Sequence, residues 1–350
     1  MSPKTRNVTQ REIAKIAGVS QTTVSMVLND RDGSNVRIPE ATRERVRQAI
    51  EQSTYVADPA ARRLAGLDNK IIGVFTYEPA LSPESMDFYG PLLNGLERAA
   101  EQIGCDLLFF TSSPVENGSR SLFHRNTRLR LADGCILLGQ HMDGGDLTRL
   151  VDEGFPFVAV GRRDETDAHV PYVGIDYATL TTELVDAATA LGHTDAIYLH
   201  HDRESPTAND RRAALQAAHE RGDLRFTHVS VDTTDLAELP SVIAGAGASI
   251  VFAQDAFIAE DAAGALASAG IAVPAQVSIT ALGDVSGHRI EGVALSGFHT
   301  PRLQVAADAL GLLQRLVTTP SDDWADLDTQ RLLAGRVEIG DTLTSSAGIR

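Results

Sequence analysis

VTQREIAKIAGVSQTTVSMVLN, residues 8–29, reads as two short helices around a tight turn. Thr9 with Glu12 three positions on is a capping box, so a helix can start there. Ile13, Ile16 and Ala17 then share one face at helical spacing, and Gly18 stops the run by accepting a left-handed backbone. Ser20 can cap a second helix whose buried side is Val24, Val27 and Leu28. The other side carries Thr22, Ser25, Met26 and Asn29, with Gln21 at the first turn. Two helices about a short glycine turn fit a helix-turn-helix, whose second helix enters the DNA major groove. A helical hairpin in an ordinary bundle would carry the same caps.

Charge separates the two readings. The 350-residue chain has a formal net charge of −16. Residues 1–70 hold twelve Lys and Arg against eight Asp and Glu, a surplus of four. The other 280 residues hold nineteen against thirty-nine, a deficit of twenty. A basic head on an acidic body suits a head that meets phosphates and a body that does not.

AKIAGVSQTTVSMVLN (14–29) resembles the DNA-reading helices of the LacI/GalR family of bacterial transcription regulators. TRERVRQAI (42–50) resembles that family's third helix, and YVADPAARRLAG (55–66) its hinge helix. The likeness is dense over residues 8–66 and looser beyond. It implies that Gln21 and Thr22 read base edges, as Gln can bond adenine bidentately and a Thr methyl suits thymine. Met26 falls at the next reading position, where Arg or another polar residue is frequent, so no guanine contact by Arg is available there. Thr9, Ser20, Thr23, Ser25 and Asn29 are expected at phosphates or sugars, with small packing roles open for Thr23 and Ser25. Arg31 and Arg37 of the loop 30–37 lie near the DNA backbone in this reading. The third helix is expected to begin at Pro39 with Val46, Ala49 and Ile50 inward, leaving Arg43, Arg45 and Arg47 as a solvated face.

In the hinge, Asp58 can cap a helix that starts at Pro59 and ends near Leu64. So short a helix is marginal alone, because nucleation costs more than its few bonds return. The resemblance implies that Leu64 wedges into the minor groove, with Arg62 and Arg63 at phosphates. A plain interdomain linker is the alternative.

Beyond residue 70, apolar runs recur: IIGVFT (71–76), CDLLFFT (105–111), GCILLG (134–139), PFVAVG (156–161), AIYLH (196–200), ASIVFA (248–253) and QVSITAL (276–282). Alanine-rich amphipathic segments lie between them. Five of the helix-like runs end in Gly104, Gly154, Gly192, Gly222 or Gly270, the signature of βαβ units in doubly wound parallel sheets. This length predicts two lobes. The fold class expected is an all-α helix-turn-helix head on an α/β core, which the resemblance makes a two-lobed, periplasmic-binding-protein-like one. The boundaries expected are 1–57 for the head, 58–69 for hinge and linker, 70–340 for the core and 341–350 for a loose tail. Lobe 1 takes about 70–171 and 301–322, and lobe 2 takes 172–300 and 323–340, with crossings near Tyr172, Thr300 and 321–330. RVEIG (336–340) is the last strand.

Open α/β sheets bind ligands at the carboxyl ends of their strands. Asp255 follows IVFAQ directly, and a carboxylate there can accept two hydroxyl protons from a sugar or polyol. Arg211 matches the family arginine that reaches the effector, with Arg212 the register alternative. Tyr77, Phe88 and Tyr89 are candidate ring-stacking residues of the first lobe. Two departures stand out: Gly161 where relatives often hold a polar contact, and His200–His201 after a strand.

The rest narrows the class. Cys105 and Cys135 are expected as buried free thiols, and the histidines lack metal-ligand spacing. Asp176 and Asp284 end strands without a nucleophile or base beside them, so no enzyme, metal or cofactor is expected. No apolar run reaches membrane-spanning length, and no signal peptide is visible. The partners expected are therefore an operator in double-stranded DNA, a small effector (a carbohydrate, as the resemblance implies) and a second copy of the chain, acting in the cytoplasm at the nucleoid without a membrane.

Overall fold

The computed structural model describes residues 8–28, 38–53, 55, 68–83, 85–116, 118–125 and 127–346. The chain forms two compact units, Met1–Ile71 and Ile72–Arg350. Asn29, Arg31, Arg37, Asp58, Arg62, Arg63 and Leu64, to which the sequence assigns roles in DNA binding or the hinge, lie outside the described residues.

The first unit contains α1 (Gln10–Ala17), α2 (Gln21–Leu28) and α3 (Glu40–Glu51). The capping box forms: Thr9 Oγ1 accepts from Glu12 N at 3.3 Å, and Thr9 N donates to Glu12 Oε2 at 2.8 Å. Gly18 ends α1 at φ 66°, in the left-handed region where a side chain would strain. The core is Ile13, Ala14, Ala17, Val24, Val27, Val46 and Ala49. Two expectations change. Ile16 is 62% exposed, because a helix of eight residues turns only a narrow stripe inward and Ala14 takes the inner place. Pro39 precedes the third helix as its cap rather than opening it.

The second unit is two α/β lobes. Its elements are β1 (Ile71–Thr76), α4 (Met86–Ile103), β2 (Asp106–Phe110), β3 (Val115–Glu116), β4 (Ser119–Arg120), β5 (Gly134–Leu138), α5 (Gly144–Asp152), β6 (Phe157–Val160), β7 (Tyr172–Ile175), α6 (Tyr177–Ala190), β8 (Asp195–His200), α7 (Pro206–Glu220), β9 (Arg225–Ser230), α8 (Leu239–Ala246), β10 (Ile250–Ala253), α9 (Ala256–Ser268), β11 (Ser278–Asp284), β12 (Arg289–Ile290), β13 (Val293–Ala294), β14 (Ser296–His299), α10 (Arg302–Thr318), β15 (Gln330–Leu333) and β16 (Arg336–Glu338). The first sheet has the order β15-β7-β6-β5-β1-β2 and the second β16-β14-β11-β10-β8-β9. β5 and β10 are buried throughout, which is why they read as unbroken apolar runs. All five helix-ending glycines of the core have positive φ.

Strand membership moves the lobe boundaries. Tyr172 pairs with Ala159 inside the first sheet, so the chain leaves lobe 1 after Ile175. Gln330–Leu333 pairs with Tyr172–Ile175, so residues 323–333 stay with lobe 1 and the last crossing falls at 334–335. The region 341–346 is no loose tail: Ile279 N donates to Thr342 O at 3.0 Å, Ser296 N donates to Thr342 Oγ1 at 2.9 Å, and Leu343 is buried. Between β2 and β5 the described residues hold the β3–β4 hairpin and a 3-10 turn at Leu129–Leu131 instead of a crossover helix. Leu122 and Leu129 plug this segment into the core beside Phe75, Leu137 and Phe157. Cys135 is buried as expected, whereas Cys105, just before β2, is half-buried; both are free thiols.

Candidate nucleic-acid interface and ligand cleft

α2 shows opposite faces. Val24 and Val27 are buried, Gln21 and Thr22 are exposed at the first turn, and Thr23, Ser25 and Met26 are half-buried. Ser20 Oγ accepts from Thr23 N at 3.1 Å and lies 2.8 Å from Thr23 Oγ1, so these two hydroxyls start the helix. Thr9 is likewise engaged with Glu12. Arg47 lies 3.4 Å from Glu40, and Arg45 donates to Thr42 at 3.4 Å, both on the exposed face of α3. The head thus exposes Gln21 and Thr22 at the entry of its second helix, with no side-chain partner among the described residues, while the Ser20 and Thr23 hydroxyls on either side of them are spent on the cap.

In the core, a cavity of about 530 Å³ lies between the lobes. Asp255, Arg211, Phe88 and Tyr89 all line it, brought from α9, α7 and α4. Asp255 caps α9, its Oδ1 accepting from Ile258 N at 2.9 Å, which leaves its other oxygen available. Arg211 is buried, donates from Nη1 to Thr207 O at 3.0 Å, and stacks 4.2 Å over the Tyr177 ring. Phe88 meets Tyr89 edge-on at 4.9 Å. Tyr89 OH donates to Glu78 Oε2 at 2.7 Å; burial, then the Glu78 charge, pushes the phenol pKa up, so it stays neutral.

Tyr77 is a correction. It is fully buried in the first lobe's core, with Asp146 at 3.4 Å from its hydroxyl, and it does not line the cavity. The residue after a strand can continue the inward-facing alternation, and here Phe75 and Tyr77 pack edge-on at 5.0 Å. Arg212 turns outward to Glu204 at 3.3 Å, which resolves the register in favour of Arg211 as the cavity residue. His201 lines the cavity and pairs with Asp232 at 2.7 Å, while His200 stacks on Tyr198.

The sequence reading missed Arg162, Arg163, Tyr177, Asp210 and Arg302, and gave Asp284 no binding role; all line the cavity. The signal for the first two was Arg-Arg directly after the strand end of PFVAVG. Gly161 is an absent side chain that admits another: at φ 93°, a Cβ there would meet Arg163 Nη2 at 2.7 Å. Arg163 is buried, donates to Gly139 O at 3.3 Å and pairs with Glu165 at 3.2 Å; burial lowers its pKa against these charges. Arg162 pairs with Asp210 at 2.7 Å. Arg302 pairs with Asp284 at 3.0 Å, and Thr300 N donates to the same carboxylate at 2.7 Å. Almost every charge in the wall is therefore neutralised from within. Among the described residues the exceptions are Arg211 on backbone carbonyls, Asp255 on a backbone N–H, and Arg203, which is exposed and only adds its charge near Asp232. Such a wall suits a neutral, hydroxyl-rich ligand with a ring face for the aromatics.

Comparison with known proteins gives the same division. Residues 9–58 match the family described as "Bacterial regulatory proteins, lacI family". Residues 185–343 match "Periplasmic binding protein-like domain". The chain is 32% identical over 197 residues to the sucrose operon repressor of Klebsiella pneumoniae, a match spanning 56% of this chain and 55% of that protein. It is 24% identical over 344 residues to the HTH-type transcriptional regulator AscG of Escherichia coli, covering 96% of this chain and 98% of that one. Among solved structures, a lac repressor dimer bound to operator and the anti-inducer ONPF has a TM-score of 0.71 at 19% identity, covering 97% of this chain and all of that one. A transcriptional regulator CelR–cellobiose complex has a TM-score of 0.62 at 19% identity, covering 96% and 100%.

Proposed function

This chain belongs to the LacI family of bacterial regulatory proteins, and we infer from that premise that it represses transcription at a DNA operator under control of a carbohydrate effector. It is a regulator and not an enzyme. The observation that carries the DNA side is the division of α2, with Val24 and Val27 inward and Gln21 and Thr22 outward, on a basic head. The effector side is supported by the meeting of Arg211, Asp255, Phe88 and Tyr89 in one interlobe cavity.

A homodimer presents two heads to a roughly palindromic site, since a two-fold protein reads a two-fold sequence. Gln21, Thr22 and Met26 face bases; Thr9, Ser20, Thr23, Ser25 and Asn29 set the register on the backbone. Residues 1–57 are the reading head and 58–69 the hinge, where Arg62 meets phosphate and Leu64 enters the minor groove. Arg211 and Asp255 hold ligand hydroxyls while Phe88 and Tyr89 flank its ring. The protein works in the cytoplasm, at the chromosome. Selection of bound sites from random DNA tests the main reading, and recovery of a palindrome is the expected result. Leu64→Ala is expected to weaken binding to the selected site far more than binding to unrelated DNA. Equal losses on both would remove the wedge. Thermal-shift screening with neutral sugars, polyols and nucleosides tests the cavity, with Asp255→Asn as the control that should abolish any shift.

A further inference from the structure

Two contacts cross the cleft into one short stretch of lobe 2. Arg162, in the loop after β6 of lobe 1, pairs with Asp210 of α7 at 2.7 Å and donates to Pro206 O at 3.3 Å. His141, in the loop after β5, places Nε2 2.6 Å from Glu204 O. The lobes are connected covalently after Ile175, near Thr300 and at 334–335, and Arg302–Asp284 at 3.0 Å and His288–Asp87 at 3.8 Å also bridge them. A hinge there opens the cleft only if both contacts into 204–210 break.

The ion pair is mostly withdrawn from water, with side chains 26% and 12% exposed. Burial works against the Arg162 charge, yet Asp210 and Asp164 hold its pKa up; for Asp210 burial wins and pushes its pKa up despite Arg162. A carboxylate in that position is tolerated because the guanidinium is there. Without its partner, the buried charge strongly disfavours the joined state, and opening the cleft relieves it by rehydration.

We propose that Arg162 and Asp210 form a latch that joins the two lobes across the cavity through protein contacts alone. The latch rests on the cavity reading only for its regulatory meaning: an effector then acts on a cleft already closed, and the strength of the pair sets how much of the population is closed before binding. The two arginines after β6 divide the work, Arg163 folding back into lobe 1 and Arg162 reaching across.

The test uses the full-length, ligand-free protein, so its outcome does not depend on which ligand binds. Spin labels at Ser121→Cys in lobe 1 and Ser241→Cys in lobe 2, on a Cys105→Ser background diluted with unlabelled chains, report the interlobe distance. Both label sites are exposed, and Cys135 is buried. Arg162→Ala and Asp210→Ala are each expected to raise the open-to-closed ratio about tenfold, with the double variant no more open than either single one. Arg162→Lys, which keeps the charge, should stay close to the parent. Unchanged distances in both alanine variants would overturn the latch, as would additive opening in the double variant or a lysine variant as open as the alanine one. Failure of every sugar to bind with the distances shifting as expected would instead count against the carbohydrate reading alone.

Discussion

Asp284 shows what one buried carboxylate is asked to do at the cavity wall. Burial alone would raise its pKa, but the Thr300 hydroxyl, the Arg302 guanidinium, Ser286 and Thr300 N outweigh it and hold the value at about 2. An unfolded aspartate titrates near 3.9. A depressed folded pKa contributes stability that is present above about pH 4 and lost as pH falls towards about 2. Asp284→Asn should therefore cost about 2 to 3 kcal/mol at pH 6, and the gap from the parent should narrow by pH 3. Urea unfolding at both values checks this; a constant gap would mean that the charge contributes nothing. The two isoleucines of α1 give a second contrast. Ile13 is fully buried, so Ile13→Ala should cost about 2 to 4 kcal/mol, whereas Ile16→Ala, at 62% exposure, should change stability by less than about 0.5 kcal/mol. Helical spacing alone put both inside, because period gives a stripe but not its width. Asp255 and Arg211 were legible because one follows a strand and the other opens a helix face, whereas Arg162 and Asp210 were not. Their partnership spans 48 positions, and nothing local in either segment announces the other.

Elements with strong local signals were read correctly and those defined by pairing were not. The capped α1 and the buried β5 and β10 carry their own evidence in periodicity, caps or unbroken apolar runs. β7, β9, β14 and β15 all carry polar residues or glycine; their strand character comes from neighbours that only the folded sheet supplies. Missing β7 and β15 is what displaced two of the lobe crossings. The α4–α10 contact gives the test at this scale. A Cβ on Gly95 would stand 2.5 Å from Leu303 O and 2.8 Å from Ala306 Cβ. The obstacle is backbone, which cannot swing away as a side chain can. Gly95→Ala must push the helices apart, and a loss of about 1 to 3 kcal/mol is expected by chemical denaturation. Helix propensity favours alanine by about 1 kcal/mol, so a net gain in stability would show that the two helices do not cross this closely.

For the whole molecule the question is how an acidic body controls a basic head. The surplus of positive charge is confined to the first 70 residues, so phosphate neutralisation, and with it the salt dependence of binding, belongs to the head. The effector adds no charge to that interface if it is the neutral polyol that the internally paired cavity suits. It can act only through a difference in its affinity for two states of the core. Linkage then fixes the size of the reverse effect: whatever factor the effector imposes on operator affinity, the operator imposes on effector affinity. A coupling of about 1 to 3 kcal/mol would appear as a change of roughly 5- to 150-fold in both. The measurement is a pair of titrations at one salt concentration, operator binding with and without saturating sugar, and sugar binding with and without saturating operator. The two ratios are expected to agree within error and to point in the same direction. In the Asp255→Asn protein the operator should bind as before and the operator-binding ratio should fall to one, since the ligand is no longer held. Unequal ratios in the parent would mean that the sugar acts at a site other than the one whose occupancy is being measured, and the interlobe cavity would lose its place as the source of the signal.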